Sequence, residues 1–150
     1  MMKTYMDIAL DDYARVHRNF EAGDSNACLR YCEQFVEKAL KHIIDKNLNS
    51  DRVAEDKELL SSHRVAQLAR RVEEILGVEY SKEDYRVFRN LQSYYYDLSY
   101  PSDRYEDVDI EEAKYVVDWL EGFKERICQH QQLQLNSQAE QAKAQAESSE

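Results

Sequence analysis

Hydrophobic residues recur at spacings of three and four along most of positions 1–128, and this spacing places them on one face of an α-helix. The first series ends near Gly23, and the second begins after Asp24 or Ser25, residue types that commonly cap a helix N-terminus. We therefore predict two amphipathic helices in this part of the chain. Their apolar faces consist of Met6, Ala9, Tyr13, Val16 and Phe20 in the first helix, and of Cys28, Tyr31, Cys32, Phe35, Ala39 and Ile43 in the second.

The pattern weakens between positions 47 and 60, where polar residues predominate, and we predict a flexible connection there with at most one short helical turn. A third amphipathic helix is predicted after Ser61 or Ser62 as its N-cap, and Gly77 can end it. The apolar face of this helix consists of Val65, Leu68, Val72, Ile75 and Leu76.

Two further helices are predicted from capping boxes, in which two side chains three residues apart bond each other's backbone N–H groups. Ser81 and Asp84 have this spacing before a helix that Pro101 would end, and Asp109 and Glu112 have it before the last helix. The apolar faces consist of Val87, Phe88, Leu91, Tyr95 and Leu98 in the fourth helix, and of Ile110, Ala113, Val117, Leu120, Phe123 and Ile127 in the fifth.

Amphipathic helices joined by short connections can bury their apolar faces only against one another. The predicted fold is therefore all-α, an antiparallel bundle of about five helices over residues 1–128. Residues 129–150 form a polar, low-complexity tail without a sustained apolar face. We predict that this tail is disordered or a helical extension, and that it has no role in the core.

Composition and charge narrow the classes of partner and the compartment. The net charge of −10 opposes broad, sequence-independent binding of nucleic acid, although a local basic patch remains possible. No apolar run is long enough to span a membrane, and the first residues lack the apolar core of a signal peptide. We therefore expect a cytoplasmic protein without a membrane partner, in which Cys28, Cys32 and Cys128 are reduced and buried.

Four stretches, in this order, make the chain similar to the HEPN family, whose name stands for higher eukaryotes and prokaryotes nucleotide-binding. They are CEQFVEKALKHII at 32–44, SSHRVAQL at 61–68, YYYDLSYPSD at 94–103 and EEAKYVVDWL at 111–120. The resemblance covers roughly residues 5–128, and it implies an all-α bundle. It also implies a role associated with nucleotides or RNA.

Catalytic members of this family are metal-independent RNases that use an arginine followed a few residues later by a histidine. In this chain the resemblance places Arg89 and Asn90 at the start of that motif and Tyr94 at the histidine position. A phenol ordinarily titrates near pH 10, so it is a poor proton shuttle at neutral pH. Catalysis is therefore less expected than binding, and the degenerate catalytic candidates are Arg89, Asn90, Tyr94 and Tyr96.

The resemblance further implies a dimer and a partner protein. Family toxins are adenylylated by a nucleotidyltransferase on a tyrosine two residues after the histidine, and Tyr96 holds that position. A homodimer and a nucleotidyltransferase partner are therefore expected, together with a nucleotide or RNA ligand. The residues expected on the ligand or partner surface are His63, Arg64, Arg86, Tyr95 and Tyr100.

Other chemistries find less support in the sequence. Cys28 and Cys32 lie one helical turn apart, but two thiols on an apolar face are typical of a core, so no metal site is predicted. Glycine-rich phosphate loops do not occur, and no cofactor is expected. Three hypotheses follow: a non-catalytic binding or interaction module, an RNase toxin acting at a dimer cleft, and a helical adaptor without a nucleotide role.

Overall fold

The computed structural model describes residues 3–48, 51–99 and 108–148, without the side chains of 96–99, 133–142 and 148. This part of the chain forms helices and contains no strand. The all-α prediction is confirmed. The helices are α1 (Tyr5–Glu21), α2 (Ser25–Asp45), α3 (Val53–Leu60), α4 (Val65–Leu76), α5 (Lys82–Ser99) and α6 (Ile110–Ser148).

Local signals in the sequence set several of these helix ends. Asp24 caps α2 by accepting a hydrogen bond from the backbone of Ala27, as predicted. Gly77 ends α4 in the left-handed conformation, at φ 66°, where a residue with a Cβ would be strained. Ser81 and Asp84 form the predicted capping box at the start of α5, through reciprocal hydrogen bonds of 2.9 and 3.0 Å.

Three local predictions were wrong. Residues 53–60, expected to be a flexible connection, form the two-turn helix α3. Neither Ser61 nor Ser62 is the N-cap of α4, because that position belongs to Arg64, which makes no side-chain cap hydrogen bond. Asp109 does not form a capping box with Glu112. Its side chain accepts a hydrogen bond from the backbone N–H of Glu111, and the carboxylate of Glu112 accepts one from the Tyr94 hydroxyl.

Helix α2 lies at the centre of the bundle and packs against α1, α3, α4, α5 and α6. Its inward side is almost continuously buried from Cys28 to Ile44. In this core Phe123 of α6 contacts Phe35 of α2 and Phe88 of α5 edge-on, with ring centroids 6.3 and 6.0 Å away. Helices α4 and α5 pack against each other and against one side of α2. We call the contact line between α4 and α5 the seam, and the polar features described below lie along it.

The C-terminal helix changes the expected role of the tail. Helix α6 continues past residue 128, and His130 is buried, with its Nε2 3.0 Å from the hydroxyl of Tyr80. The prediction that residues after 128 take no part in the core was therefore wrong at His130. Cys128 is also exposed rather than buried, whereas Cys28 and Cys32 are buried free thiols. Within the described residues no helix combines the length and apolar character of a membrane span.

Candidate functional site

A cleft of about 690 Å³ opens where α4 and α5 diverge from their short connection. Four cationic side chains line it, together with two tyrosines, a glutamate and an asparagine. We call this cleft, with its lining residues, the basic cleft: Arg70, Glu73, Tyr80, Lys82, Tyr85, Arg86, Arg89 and Asn90.

The charge inside the basic cleft is strongly positive although the chain as a whole carries −10. Within the described part of the chain, none of the four cations forms an ion pair with a carboxylate. The single acid, Glu73, accepts hydrogen bonds from the Tyr85 hydroxyl and from the backbone N–H of Tyr80. The cleft therefore presents positive charge that the fold does not use for pairing.

Tyr85 is the aromatic centre of the basic cleft. The guanidinium carbons of Arg70 and Arg89 lie 5.6 and 5.9 Å from the centroid of its ring, within cation–π range. Phe88 contacts the same ring edge-on at 5.4 Å and fixes its position. Burial, and then the hydrogen bond to Glu73, raise the pKa of the Tyr85 phenol, so Tyr85 is a neutral platform at physiological pH.

Guanidinium groups around an aromatic ring are suited to binding a phosphate together with a planar ring. Arginines bind phosphoryl oxygens through paired N–H donors, and a tyrosine face accepts a stacked base or sugar. The cleft can therefore hold a phosphate and the ring system attached to it.

The first residues of the family motif, Arg89 and Asn90, and its histidine position, Tyr94, lie on different sides of α5. Arg89 and Asn90 are exposed and line the basic cleft, whereas Tyr94 is 9% exposed and donates its hydroxyl to Glu112 of α6. Five residues along an α-helix correspond to a rotation of about 140° relative to the starting side chain. The phenol that replaces the histidine therefore faces the core and α6, away from the arginine.

A second polar cluster lies further along the same seam. His63, just before α4, places its Nδ1 2.7 Å from Oε1 of Glu37, a carboxylate of α2 that is almost completely buried. The imidazole stacks on Tyr95 of α5, with centroids 4.0 Å apart and planes 15° from parallel. Lys41 Nζ lies 3.6 Å from the other oxygen of Glu37. These contacts fix the orientation of a histidine whose side chain is still 39% exposed.

Glu33, one turn before Glu37 on α2, is fully buried. One of its oxygens accepts a hydrogen bond from Gln34 at 2.5 Å, and for the other, Oε1, no donor is found among the described residues. Burial and the neighbouring Glu37 raise the pKa of Glu33 to about 9, so this carboxyl is protonated at neutral pH.

The remaining predicted residues fall in different places. Arg86 lines the basic cleft, but Arg64 lines a separate cavity of about 480 Å³ beside α3. Tyr100 and the side chain of Tyr96 lie outside the described residues. Among the described residues no group of three or more His, Cys, Asp or Glu side chains could hold a metal ion.

Sequence reasoning missed several residues of both clusters, above all Tyr85 and Glu37. Tyr85 and Arg89 have the i, i+4 spacing of neighbours on a helix surface, and this was the available signal. Glu37 gave no signal, because a charged residue on an amphipathic helix is usually assigned to the solvated face.

Comparison with known proteins gives one match. The family model described as the HEPN domain matches residues 2–131, which is most of the chain. No curated protein and no solved structure matches.

Proposed function

The chain belongs to the HEPN domain family, and we propose that within this family it is a binding module that takes a phosphate-bearing nucleotide in the basic cleft. The ligand's phosphate is held by Arg70, Arg86 and Arg89, and its ring system lies against Tyr85. The observation that carries this proposal is the set of four cations that line one cleft and form no ion pair with a carboxylate of the described residues.

The energetics of an acidic protein support this reading. Like charges on a surface repel one another, and a chain with excess carboxylates has many opportunities to neutralise its arginines. Arg71 and Arg126 illustrate the usual outcome, since both are paired with buried aspartates. Arginines beside an aromatic ring that have no carboxylate partner in the described part of the chain are therefore the part of the surface best suited to an external anion.

The proposed module binds without using the motif position for proton transfer. The Tyr94 hydroxyl already donates to Glu112, and the side chain faces away from Arg89. General acid–base catalysis needs a group within hydrogen-bonding reach of the reacting proton. RNase action at this position is therefore the alternative function, and it needs a proton-transfer group other than Tyr94.

Assembly is part of the proposal. HEPN domains commonly dimerise. We propose that this chain forms a homodimer and acts with a separate protein, a nucleotidyltransferase being the partner that the family resemblance implies. A single monomeric species in light scattering at micromolar concentration would remove the homodimer from the proposal.

The proposal is tested by calorimetric titration with adenosine 5′-monophosphate. Binding should weaken by about tenfold or more in Arg89→Ala, because one charge-assisted contact to phosphate contributes about 1.5 kcal/mol or more. The matched control is Arg18→Ala, which removes an exposed arginine in the last turn of α1 and should leave the affinity unchanged.

A second assay separates binding from catalysis. Purified protein is incubated with mixed cellular RNA in EDTA and analysed on a gel. Intact RNA with wild-type protein, combined with Arg89-dependent nucleotide binding, is the expected result. Cleavage that Arg89→Ala abolishes would instead establish the RNase alternative, and nucleotide binding indifferent to Arg89→Ala would refute the proposed site.

A further inference from the structure

The cluster around His63 has the features of a recognition point rather than of a structural histidine. Nδ1 is occupied by Glu37, and one face of the ring is covered by Tyr95. The two ring nitrogens of an imidazole flank Cε1, and their outward directions diverge widely. Since Nδ1 points to the buried carboxylate of Glu37 and the side chain is 39% accessible, Nε2 is the ring nitrogen left for a contact from the exposed side of the seam.

The basic cleft and His63 belong to the same seam between α4 and α5. Arg70 and Tyr85 meet at one end of it, and His63 and Tyr95 meet at the other. From Arg89 to Tyr95 the helix advances six residues, or about 9 Å at 1.5 Å per residue, and the side chain turns by about 120° to the side where Tyr95 contacts His63. Because arginine side chains are long, one nucleoside unit can bridge the distance from their guanidinium groups to the imidazole.

We propose that the ligand of the basic cleft carries two phosphoryl groups separated by one nucleoside, and that His63 binds the second of them through Nε2–H. This inference rests on the proposed function, because the first phosphate is the one held by the arginines of the basic cleft. It narrows the ligand class from nucleotides in general to nucleoside bisphosphates and the ends of oligonucleotides that share this spacing.

The chemistry of the contact requires a protonated imidazole. With Nδ1–H donating to Glu37, His63 can donate from Nε2 only when it carries its second proton. The second phosphate should therefore contribute more to binding on the acidic side of the histidine range than on the basic side.

The charged and titratable groups around His63 come from all three neighbouring elements. Helix α2 supplies Glu37 and Lys41, α5 supplies Tyr95, and Arg64 follows directly in the chain. Lysine, arginine and tyrosine ordinarily titrate well above pH 8.

Glu33 lies behind Glu37 in the same cluster, and its pKa of about 9 keeps it mostly protonated from pH 6 to pH 8. A binding difference that develops between these two pH values and depends on residue 63 is therefore attributed to the imidazole.

The experiment compares adenosine 3′,5′-bisphosphate with adenosine 5′-monophosphate by calorimetry at pH 6 and pH 8. For the wild-type protein, the bisphosphate should bind about tenfold more tightly than the monophosphate at pH 6, the effect of one charged hydrogen bond. At pH 8 the advantage should be smaller than at pH 6, because Nε2 donates only when the imidazole carries both protons.

His63→Gln should remove the advantage at pH 6 without changing the affinity for the monophosphate. Phosphate itself titrates near pH 6, so the variant and the wild-type protein are compared at the same pH. The matched control is His42→Gln on α2, whose charged neighbours are Asp7, Asp45 and Lys46. This control should keep the full advantage of the bisphosphate.

A direct readout guards against a variant that fails to fold. In wild-type protein labelled with ¹⁵N, the imidazole resonances of His63 should shift on adding the bisphosphate, and much less on adding the monophosphate.

The outcomes distinguish this inference from the function on which it rests. If the two ligands bind with equal affinity at pH 6, His63 does not bind a second phosphate and this inference is overturned. If Arg89→Ala then abolishes the binding of both ligands, the proposed function is still supported. An advantage that survives in folded His63→Gln would also overturn this inference. If neither ligand binds, the proposed function and this inference fail together.

Discussion

Arginines lie on both sides of helix α5, but the two sides differ in whether an arginine is paired with a described carboxylate. On the side facing α6, Arg126 makes a two-pronged contact with Asp84, at 2.7 and 2.9 Å. On the side facing α4, Arg86 and Arg89 line the basic cleft without a partner carboxylate among the described residues. Both sides carry guanidinium groups close to aromatic rings. They therefore differ in ion pairing and not in the kinds of side chain present.

We call the cluster of Asp84, Arg126, Trp119 and Ser81 the Asp84 corner. Within it the hydrogen bonds to the Asp84 carboxylate come from the fold itself. In addition to Arg126, the carboxylate accepts from the indole N–H of Trp119 at 2.9 Å and from the backbone of Ser81. Burial alone would raise the pKa of Asp84, but the hydrogen bonds from Arg126, Ser81 and Trp119 outweigh burial and lower it. A charge that is paired in this way stabilises the structure, whereas the cations of the basic cleft have no carboxylate partner among the residues that the structure describes.

The largest expected effect is the loss of the Asp84 corner. Asp84→Ala removes the partner of Arg126, the acceptor of Trp119 and half of the capping box. We expect the free energy of unfolding to fall by about 2–3 kcal/mol, less than for a fully buried pair because Arg126 can reach water. Urea denaturation measures this change, and Asp118→Ala, at an exposed position of α6, should cost no more than about 0.5 kcal/mol.

The pH dependence of stability sharpens the same prediction. A carboxyl whose pKa is lowered on folding stabilises the folded state above its unfolded pKa of about 4, and that contribution is lost as the pH falls towards the folded pKa. The difference in stability between wild type and Asp84→Ala should therefore shrink below about pH 4. A difference that is constant from pH 7 to pH 2 would contradict the assignment.

Glu33 shows what a buried carboxyl does without a paired cation, and its replacement should have the next largest effect. Its pKa of about 9 lies above the unfolded value, so its contribution to stability is present below about pH 4 and is lost as the pH rises towards 9. Glu33→Gln should therefore raise the free energy of unfolding at pH 8 by about 2 kcal/mol. Thermal unfolding from pH 5 to pH 9 tests this, with the exposed Glu21→Gln as a neutral control.

Tyr94 should have a moderate effect on stability and none on binding. Tyr94→Phe removes the hydroxyl that donates to Glu112, and one such hydrogen bond contributes about 1 kcal/mol. Urea denaturation gives the stability, and titration with adenosine 5′-monophosphate should return the wild-type affinity. Loss of nucleotide binding in a stable Tyr94→Phe protein would show that the motif position belongs to the site.

The smallest effect on stability is expected in the basic cleft. Arg89 is exposed and makes no ion pair with a described carboxylate, so Arg89→Ala should change the free energy of unfolding by no more than about 0.5 kcal/mol. The same substitution should weaken nucleotide binding strongly. A large loss of stability in Arg89→Ala would abolish the contrast with the Asp84 corner.

The fold was predictable because its main signal is local. The spacing of apolar residues fixes which face of each helix is buried, and the cap at Asp24 and the box at Ser81 set helix starts within a few residues. Helix α3 escaped prediction because it is held by a distant contact, in which Arg71 of α4 donates to the buried carboxylate of Asp56 at 2.7 and 3.0 Å.

The site was predictable only in part. Arg89 and Asn90 were expected from the family motif, Arg86 was expected on the ligand or partner surface, and all three line one cleft. Arg70 was not among the predicted site residues, yet its guanidinium lies over Tyr85 of the next helix. The pairing of His63 with Glu37 joins residues 26 positions apart and follows no sequence spacing.

The sequence by itself determined the helical class of this protein, the buried faces of its main helices and the absence of a histidine at the motif position, because these depend on residue type and near-neighbour spacing. The tertiary structure alone decided which charges are neutralised. Asp84 and Arg126 meet because α5 and α6 pack together, while the cations of the basic cleft form no ion pair with a carboxylate among the described residues. Charge pairing depends on distances across the bundle, and those distances arise only when the helices are packed.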